Sequence, residues 1–234
     1  MQRDKSGEHC KTSCKERDMP KKNRKLNGDD YDEDLEKEFV EMSDDKFKAS
    51  LLKRRIVLLT GDITVQKVGE IKGSLIELSI ASPEENIILF INSKGGEVEP
   101  GLALYDFMTL FLKASVVGVV GAECDSTALF ILLGCIKRVG APHSTFLIHP
   151  IRSEDSRIAY SPTIDNQMGY IKKTLEEYFR KGNKILEKHS KMSLKDIERL
   201  SFANKEIGTI FSAKEALKKG LIDEIAEGDK YKIF

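Results

Sequence analysis

Three apolar runs, each followed by a turn and a helix-like segment, restrict this chain to an α/β fold. The runs lie within residues 55–61, 87–91 and 115–120, and none shows the polar alternation of a half-exposed strand. Fully apolar strands are buried on both faces, as in a parallel sheet covered by helices. The alternation of such strands with helices from residue 51 onward therefore predicts an α/β domain with a mainly parallel sheet.

The segments between the strands have apolar residues at helical spacing. Residues 65–80 form an amphipathic pattern whose apolar face holds Val68, Ile71, Leu75 and Leu78. Further helices are predicted over 100–112, 126–135, 166–188, 193–199 and 212–219, with two short strands at 138–139 and 145–148.

The first 50 residues differ in composition from the rest of the chain. They contain 12 Lys or Arg and 14 Asp or Glu, with only scattered apolar residues. Such a segment cannot bury enough apolar surface to offset its ordering entropy. We therefore expect residues 1–50 to be a disordered charged arm and residues 51–234 to form the folded domain. His9, Cys10 and Cys14 are too few for a structural zinc site, which normally takes four ligands, so no metal is predicted.

The charge balance and hydropathy of the chain exclude several classes of partner. The 234 residues include 38 basic and 38 acidic side chains, which gives no electrostatic basis for nucleic-acid binding. No apolar run reaches the roughly 18 residues that a membrane span needs, and the first residues lack the apolar stretch of a signal peptide. The four cysteines show no disulfide framework. We expect a soluble cytoplasmic protein.

Three candidate positions for chemistry follow the ends of predicted strands, where α/β folds bind their ligands. Gly95 and Gly96 could bind an oxyanion through their N–H groups, or could form an ordinary turn. Ser126 lies where a strand turns into an apolar helix, as a nucleophile or as a helix cap. His149 ends a strand, as a general base or as a structural histidine.

The order and spacing of these residues resemble the proteolytic subunit of the Clp protease, a family of serine peptidases. The resemblance implies a ClpP/crotonase-like fold with repeated ββα units and a long handle helix at about 166–188. The motifs that carry it lie in residues 51–58, 91–96, 101–108, 142–150 and 211–223.

The resemblance also implies a mechanism and an assembly. Ser126 would attack the peptide carbonyl, His149 would transfer the proton, and the N–H groups of Gly96 and Thr127 would form the oxyanion hole. Two seven-membered rings would form a barrel with the active sites inside, supplied with unfolded protein by an AAA+ Clp unfoldase. ATP would be used by that partner, so this chain would need no cofactor.

The position of the nucleophile depends on how residues are counted. Counted without a gap from Gly96, the family's nucleophile position falls on Asp125. One additional residue around 113–115 places Ser126 there, which we favour because small residues then fall at the tightly packed positions. Cys124 is a third candidate, without an argument that selects it over Ser126.

The third member of the triad is less evident. Counting back from Ser212 reaches Asn204, with Glu206 nearby. An Asn can orient a histidine but supplies no charge, and losing that charge can cost about 10⁴ in rate. Residues 152–157 also replace a glycine-rich stretch that supports substrate strands in the family, and Lys94 replaces a proline.

These features predict a serine endopeptidase, with three alternatives. One is a catalytically degenerate structural subunit, and another is a signal-peptide-peptidase-like translocation factor. The third is an acyl-CoA hydratase, because a shared fold does not fix function.

Overall fold

The structure, a computed structural model, describes residues 46–152 and 164–232. Most of the predicted disordered arm lies outside the described residues, and so do its weak metal-ligand candidates and most of segment 152–157. The described residues begin with a helix over 46–53, which includes the last five residues of the predicted arm. Among the described residues the strands are β1 (Ile56–Thr60), β2 (Ile87–Ser93), β3 (Val116–Asp125), β4 (Lys137–Gly140), β5 (Thr145–Ile148), β6 (Thr209–Ser212) and β7 (Glu224–Ile225). The helices are α1 (residues 46–53), α2 (Val65–Ala81), α3 (Val98–Asp106), α4 (Thr127–Leu133), α5 (Ile164–His189), α6 (Leu194–Ser201), α7 (Ala203–Glu206) and α8 (Ala213–Lys219).

The strands form one sheet that is parallel over most of its width. Strands β1, β2, β3, β4 and β7 lie side by side in that order, and all four of these pairings are parallel. Strand β5 pairs in parallel with β3, and β6 pairs antiparallel with β5. The predicted α/β fold with a mainly parallel sheet is therefore confirmed.

Strand β3 is longer than its sequence predicts because it changes partners. Its first half pairs with β4 and its second half with β5. Between the halves its register with β2 shifts, from the pair Ile91–Val120 to the pair Ser93–Cys124. The predicted turn after Val120 is wrong, because the chain continues as an irregular strand. As a result β3 ends at Asp125, and the strand-to-helix turn falls on the next residue.

Helix α3 ends in a π-helical turn, Phe107–Phe111, closed by a bond from the Leu112 N–H to the Phe107 carbonyl oxygen (3.0 Å). A π-helical turn contains one residue more than an α-helical turn. The placement of Ser126 at the nucleophile position needs one additional residue between Gly96 and Ser126, which we expected around 113–115. The π-helical turn offers a place for such a residue a few positions before 113–115, and the register shift of β3 against β2 offers another.

Helix α4 packs closely against helices α3 and α5, at one glycine of each. All seven of its residues are buried. A Cβ atom at Gly101 of α3 would overlap the Thr127 side chain, and one at Gly182 of α5 would overlap the Phe130 ring. These close approaches fix the start of α4, where Ser126 lies. In the part of the chain that the structure describes, no helix is long and apolar enough to cross a lipid bilayer.

Candidate active site

Ser126 occupies a sharp, strained turn between β3 and α4. Its φ of 54° and ψ of −122° are rare for a residue with a side chain. The turn is fixed by hydrogen bonds from the Ser126 N–H to the Leu147 carbonyl oxygen (2.9 Å) and from the Leu129 N–H to the Ser126 carbonyl oxygen (3.0 Å). Ser126 is the N-cap residue of α4, but its side chain makes no capping bond. The Ser126 hydroxyl is therefore not used to cap the N-terminus of α4.

The loop after β2 brings two glycines against Ser126. Gly95 and Gly96 have φ values of 101° and 145°, which favour glycine. Ile63 holds the loop, because its N–H donates to the Gly95 carbonyl oxygen (2.9 Å) and its carbonyl accepts from the Glu97 N–H (2.8 Å). A Cβ atom at Gly95 would lie 2.9 Å from the Ser126 Cβ. The loop therefore approaches Ser126 as closely as a glycine allows.

The two predicted oxyanion-hole residues are neighbours in the structure. The Thr127 hydroxyl donates to the Gly96 carbonyl oxygen (3.1 Å), which ties the glycine loop to the first residue of α4. An N–H at the start of a helix has no intrahelical acceptor, so that of Thr127 is not used within α4. The bonds with Ile63 use the Gly95 carbonyl and the Glu97 N–H, and they do not involve the N–H of Gly96.

His149 follows β5 and is oriented by a backbone carbonyl. Its Nδ1 lies 2.6 Å from the carbonyl oxygen of Pro150. A carbonyl oxygen can only accept, so Nδ1 carries the proton and Nε2 of the neutral ring presents a lone pair. This is the tautomer that a general base needs when it takes a proton at Nε2.

Ser126 and His149 line the same two cavities. One is an open cleft of about 540 Å³, and the other is a small cavity of about 20 Å³. In the described ranges no hydrogen bond joins the Ser126 hydroxyl to the imidazole ring, and catalytic hydrogen bonds are often long before substrate binds. The remaining residues of the cleft are Asp62, Ile63, Thr64, Lys94, Gly95, Gly96, Glu97, Val98, Ile151 and Arg152.

The structure does not place the Asn204 amide on His149. Asn204 has a φ of 54°, and its Nδ2 donates to the Gly208 carbonyl oxygen (2.9 Å). Gly208 itself lies against the histidine, since a Cβ atom there would be 2.7 Å from the His149 Cβ and would overlap the Ile148 carbonyl oxygen. The role of Asn204 in orienting His149 therefore stays a prediction, and the acceptor next to Nδ1 in the structure is the Pro150 carbonyl oxygen. A backbone acceptor leaves no mark in a sequence.

The rival nucleophiles have less suitable surroundings. Cys124 is fully buried, and burial, followed by the charge of Asp125, raises the pKa of its thiol well above the ordinary range. The Cys124 thiol therefore stays protonated, and a protonated thiol is a poor nucleophile. Among the residues described, neither Cys124 nor Asp125 lines the two cavities shared by Ser126 and His149.

Asp125 carries a partly buried carboxyl group, one oxygen of which has no hydrogen-bond partner in the described structure. Burial, followed by the charge of Glu123, raises the pKa of Asp125 to about 6, although the Leu147 backbone and Lys94 act in the opposite direction. The folded state therefore disfavours the ionised carboxylate, and its stability falls as the pH rises from about 4 to 6.

We expect Asp125→Asn to stabilise the fold at pH 7.5 and to have little effect at pH 4. The gain at pH 7.5 should be about 1 kcal/mol, because the residue is only partly buried and solvent screens its interactions. Urea unfolding at both pH values measures the change, and Asp62→Asn, on an exposed residue, is the control. Equal effects of Asp125→Asn at the two pH values would contradict the prediction.

Comparison with known families identifies the chain. A family model described as Clp protease matches residues 40–229, which is more than half of the sequence. The chain therefore belongs to the Clp protease family, as its motifs predict. Its α/β architecture and parallel sheet are those of the ClpP fold, and membership supports a ClpP-type peptidase. Among the described residues no group of His, Cys, Asp or Glu could hold a metal ion.

Proposed function

We propose that this chain is the proteolytic subunit of an ATP-dependent Clp protease and acts as a serine endopeptidase. The observation that carries the proposal is the position of Ser126. Its hydroxyl caps no helix and shares two cavities with His149, whose Nε2 presents a lone pair. A serine hydroxyl with a neighbouring base is the minimum arrangement for acyl transfer.

In this mechanism the Ser126 oxygen attacks the carbonyl carbon of the peptide bond while Nε2 of His149 takes the hydroxyl proton. The N–H groups of Gly96 and Thr127 donate to the oxygen that becomes negatively charged. His149 then gives the proton to the leaving amine, and the C–N bond breaks to leave an ester on Ser126. Water attacks this ester with the same base, which releases the acid product and restores the hydroxyl.

The Pro150 carbonyl fixes the tautomer of His149 without supplying a full negative charge. The imidazolium formed in the transition state is then less stabilised than beside a carboxylate. We therefore expect slower turnover than with a complete triad, for which loss of the acid can cost about 10⁴.

A second candidate is a structural subunit that assembles but does not cleave. It is favoured by Gly208, which packs against His149 at a point where an additional side-chain atom would overlap the Ile148 carbonyl oxygen. The described residues 204–208 thus supply no carboxylate to the imidazole ring of His149.

The partners follow from the same proposal. Fourteen copies form two stacked seven-membered rings in the cytoplasm, and α5 acts as the handle between the rings. An AAA+ Clp unfoldase delivers unfolded protein and hydrolyses the ATP, so this chain uses no cofactor. Native mass spectrometry tests the assembly, because a translocation factor or a hydratase would form smaller oligomers.

The activity is tested with the assembled full chain and internally quenched peptides. We expect slow cleavage, with an acyl-enzyme on Ser126 detectable by mass spectrometry after rapid acid quenching. A fourteen-copy particle that neither cleaves peptides nor forms the ester would support the structural subunit instead.

Gly95→Ala is expected to lower the rate of peptide cleavage by about 100-fold. The added methyl group would lie 2.9 Å from the Ser126 Cβ and 3.0 Å from the Asp125 carbonyl oxygen, so the loop must move away from the nucleophile. A displacement of about 1 Å at a reacting centre can cost about 10² in rate. Gly69→Ala is the control, because that position in α2 has no atom within 4 Å of the added Cβ. Wild-type cleavage by Gly95→Ala would show that the loop does not contribute.

A further inference from the structure

We propose that Lys94 binds a carboxylate side chain of the substrate beside the cleaved bond, so that the protein prefers peptides with an acidic residue there. This inference rests on the proposed peptidase function, because Ser126 and His149 define where the bond is cleaved. It concerns the open cleft of about 540 Å³, which these two residues share with Lys94.

The backbone of Lys94 is held next to the nucleophile. The following residue is Gly95, where an added Cβ would be 2.9 Å from the Ser126 Cβ. The preceding residue is Ser93, whose hydroxyl donates to the Gly61 carbonyl oxygen (2.6 Å) and accepts from the Gly95 N–H (3.1 Å). The lysine side chain itself is exposed. A fixed backbone therefore presents a cationic side chain at the edge of the site.

The two acidic residues of the cleft lie together on the side of β1. Asp62 directly precedes Ile63, which follows β1 in the chain. The Glu97 N–H donates to the Ile63 carbonyl oxygen (2.8 Å), so Glu97 is held at the same point of the chain. A carboxylate of the substrate would be repelled on this side of the cleft.

The two basic residues lie toward β3 and β5. Lys94 is close enough to the end of β3 to oppose the rise in the pKa of Asp125 that burial and the charge of Glu123 cause. Arg152 follows β5, which pairs with β3. A carboxylate of the substrate is therefore attracted to this side of the cleft.

Lys94 is better suited than Arg152 to bind that carboxylate. The Arg152 guanidinium already donates to the Glu206 carbonyl oxygen. Within the described ranges the Lys94 ammonium group makes no ion pair and no hydrogen bond, so its three N–H donors are available to a ligand. Asp125 does not line the cleft, and a substrate carboxylate can therefore approach the ammonium group from the open side.

The exposure of Lys94 limits the strength of the contact. An exposed ion pair changes an equilibrium constant by at most about fivefold, and it weakens as salt is added. We therefore expect Lys94 to favour acidic peptides without excluding neutral ones. Aspartate and asparagine have nearly the same size and shape, so a comparison of the two isolates the effect of the charge.

The test measures binding separately from catalysis. In the full-length Ser126→Ala protein, Kd is measured by calorimetry for two peptides with blocked ends that differ only in a central Asp or Asn. We expect the Asp peptide to bind about fivefold more tightly at low salt, and this ratio to approach 1 at about 1 M salt.

Variants in the same background assign the preference to one residue. Lys94→Met should reduce the ratio to about 1, and Lys94→Glu should make the Asn peptide the tighter ligand. Lys94→Arg keeps the charge and should keep the preference. Lys113→Met is the matched control, because this lysine is also exposed but does not line the cleft.

The outcomes separate this inference from the proposed function. Equal binding of the two peptides, no binding of either, or a preference that survives in Lys94→Met overturns the role of Lys94. Should Lys94→Glu not fold, Lys94→Met and Lys94→Arg still decide the question. A preference that depends on Lys94 in a protein whose wild-type form never cleaves supports the role of Lys94 and refutes the peptidase function.

Discussion

Ser126→Ala should abolish peptide cleavage, with a loss of at least about 10⁴ in rate, and should prevent labelling by a fluorophosphonate. The hydroxyl makes no capping bond, so its removal costs the fold little. The backbone strain remains, because alanine is as unfavourable as serine at a φ of 54°. The unfolding midpoint of the variant should therefore lie close to that of the wild type.

Ser126→Gly provides a matched second variant. Glycine adopts a positive φ without strain, so this variant should be equally inactive but more stable by about 1 kcal/mol. Cleavage and labelling report the chemistry, while urea unfolding reports the strain. The two measurements thus separate the role of the hydroxyl from the role of the turn.

Two neighbouring variants act as controls for the nucleophile. Cys124→Ala and Asp125→Asn should both retain fluorophosphonate labelling, because neither side chain lines the two cavities that Ser126 shares with His149. Labelling that persists in Ser126→Ala, or that is lost in Asp125→Asn with the fold intact, would show that another residue is the nucleophile.

The fold could be predicted from sequence wherever local pattern decides the structure. The apolar face of α2, with Val68, Ile71, Leu75 and Leu78 buried, follows directly from its helical spacing. The end of β3 could not be predicted, because the strand is extended by pairing with β5, which is distant in sequence. The π-helical turn after α3 likewise has no local signal, and an ordinary helical pattern continues through it.

The site was predictable where side chains follow strands. Ser126 and the glycine loop come after neighbouring strands of a parallel sheet, and such ends meet at one edge. Asn204 is predicted only by counting along the chain, and such a count carries no information about the irregular backbone at residues 204–206.

His149→Ala should lower peptide cleavage by at least about 10⁴ while leaving the oligomeric state unchanged. The substitution removes the Nε2 lone pair and also the bond from Nδ1 to the Pro150 carbonyl oxygen. His143→Ala, at an exposed turn, is the matched control and should cleave at the wild-type rate.

Asn204→Ala distinguishes the two groups that could orient the imidazole, the Asn204 amide and the Pro150 carbonyl. Its amide donates to the Gly208 carbonyl oxygen and not to the imidazole, so we expect a loss of less than about tenfold. A loss with Asn204→Ala as large as that with His149→Ala would show that the asparagine, and not the Pro150 carbonyl, holds the base in place during turnover.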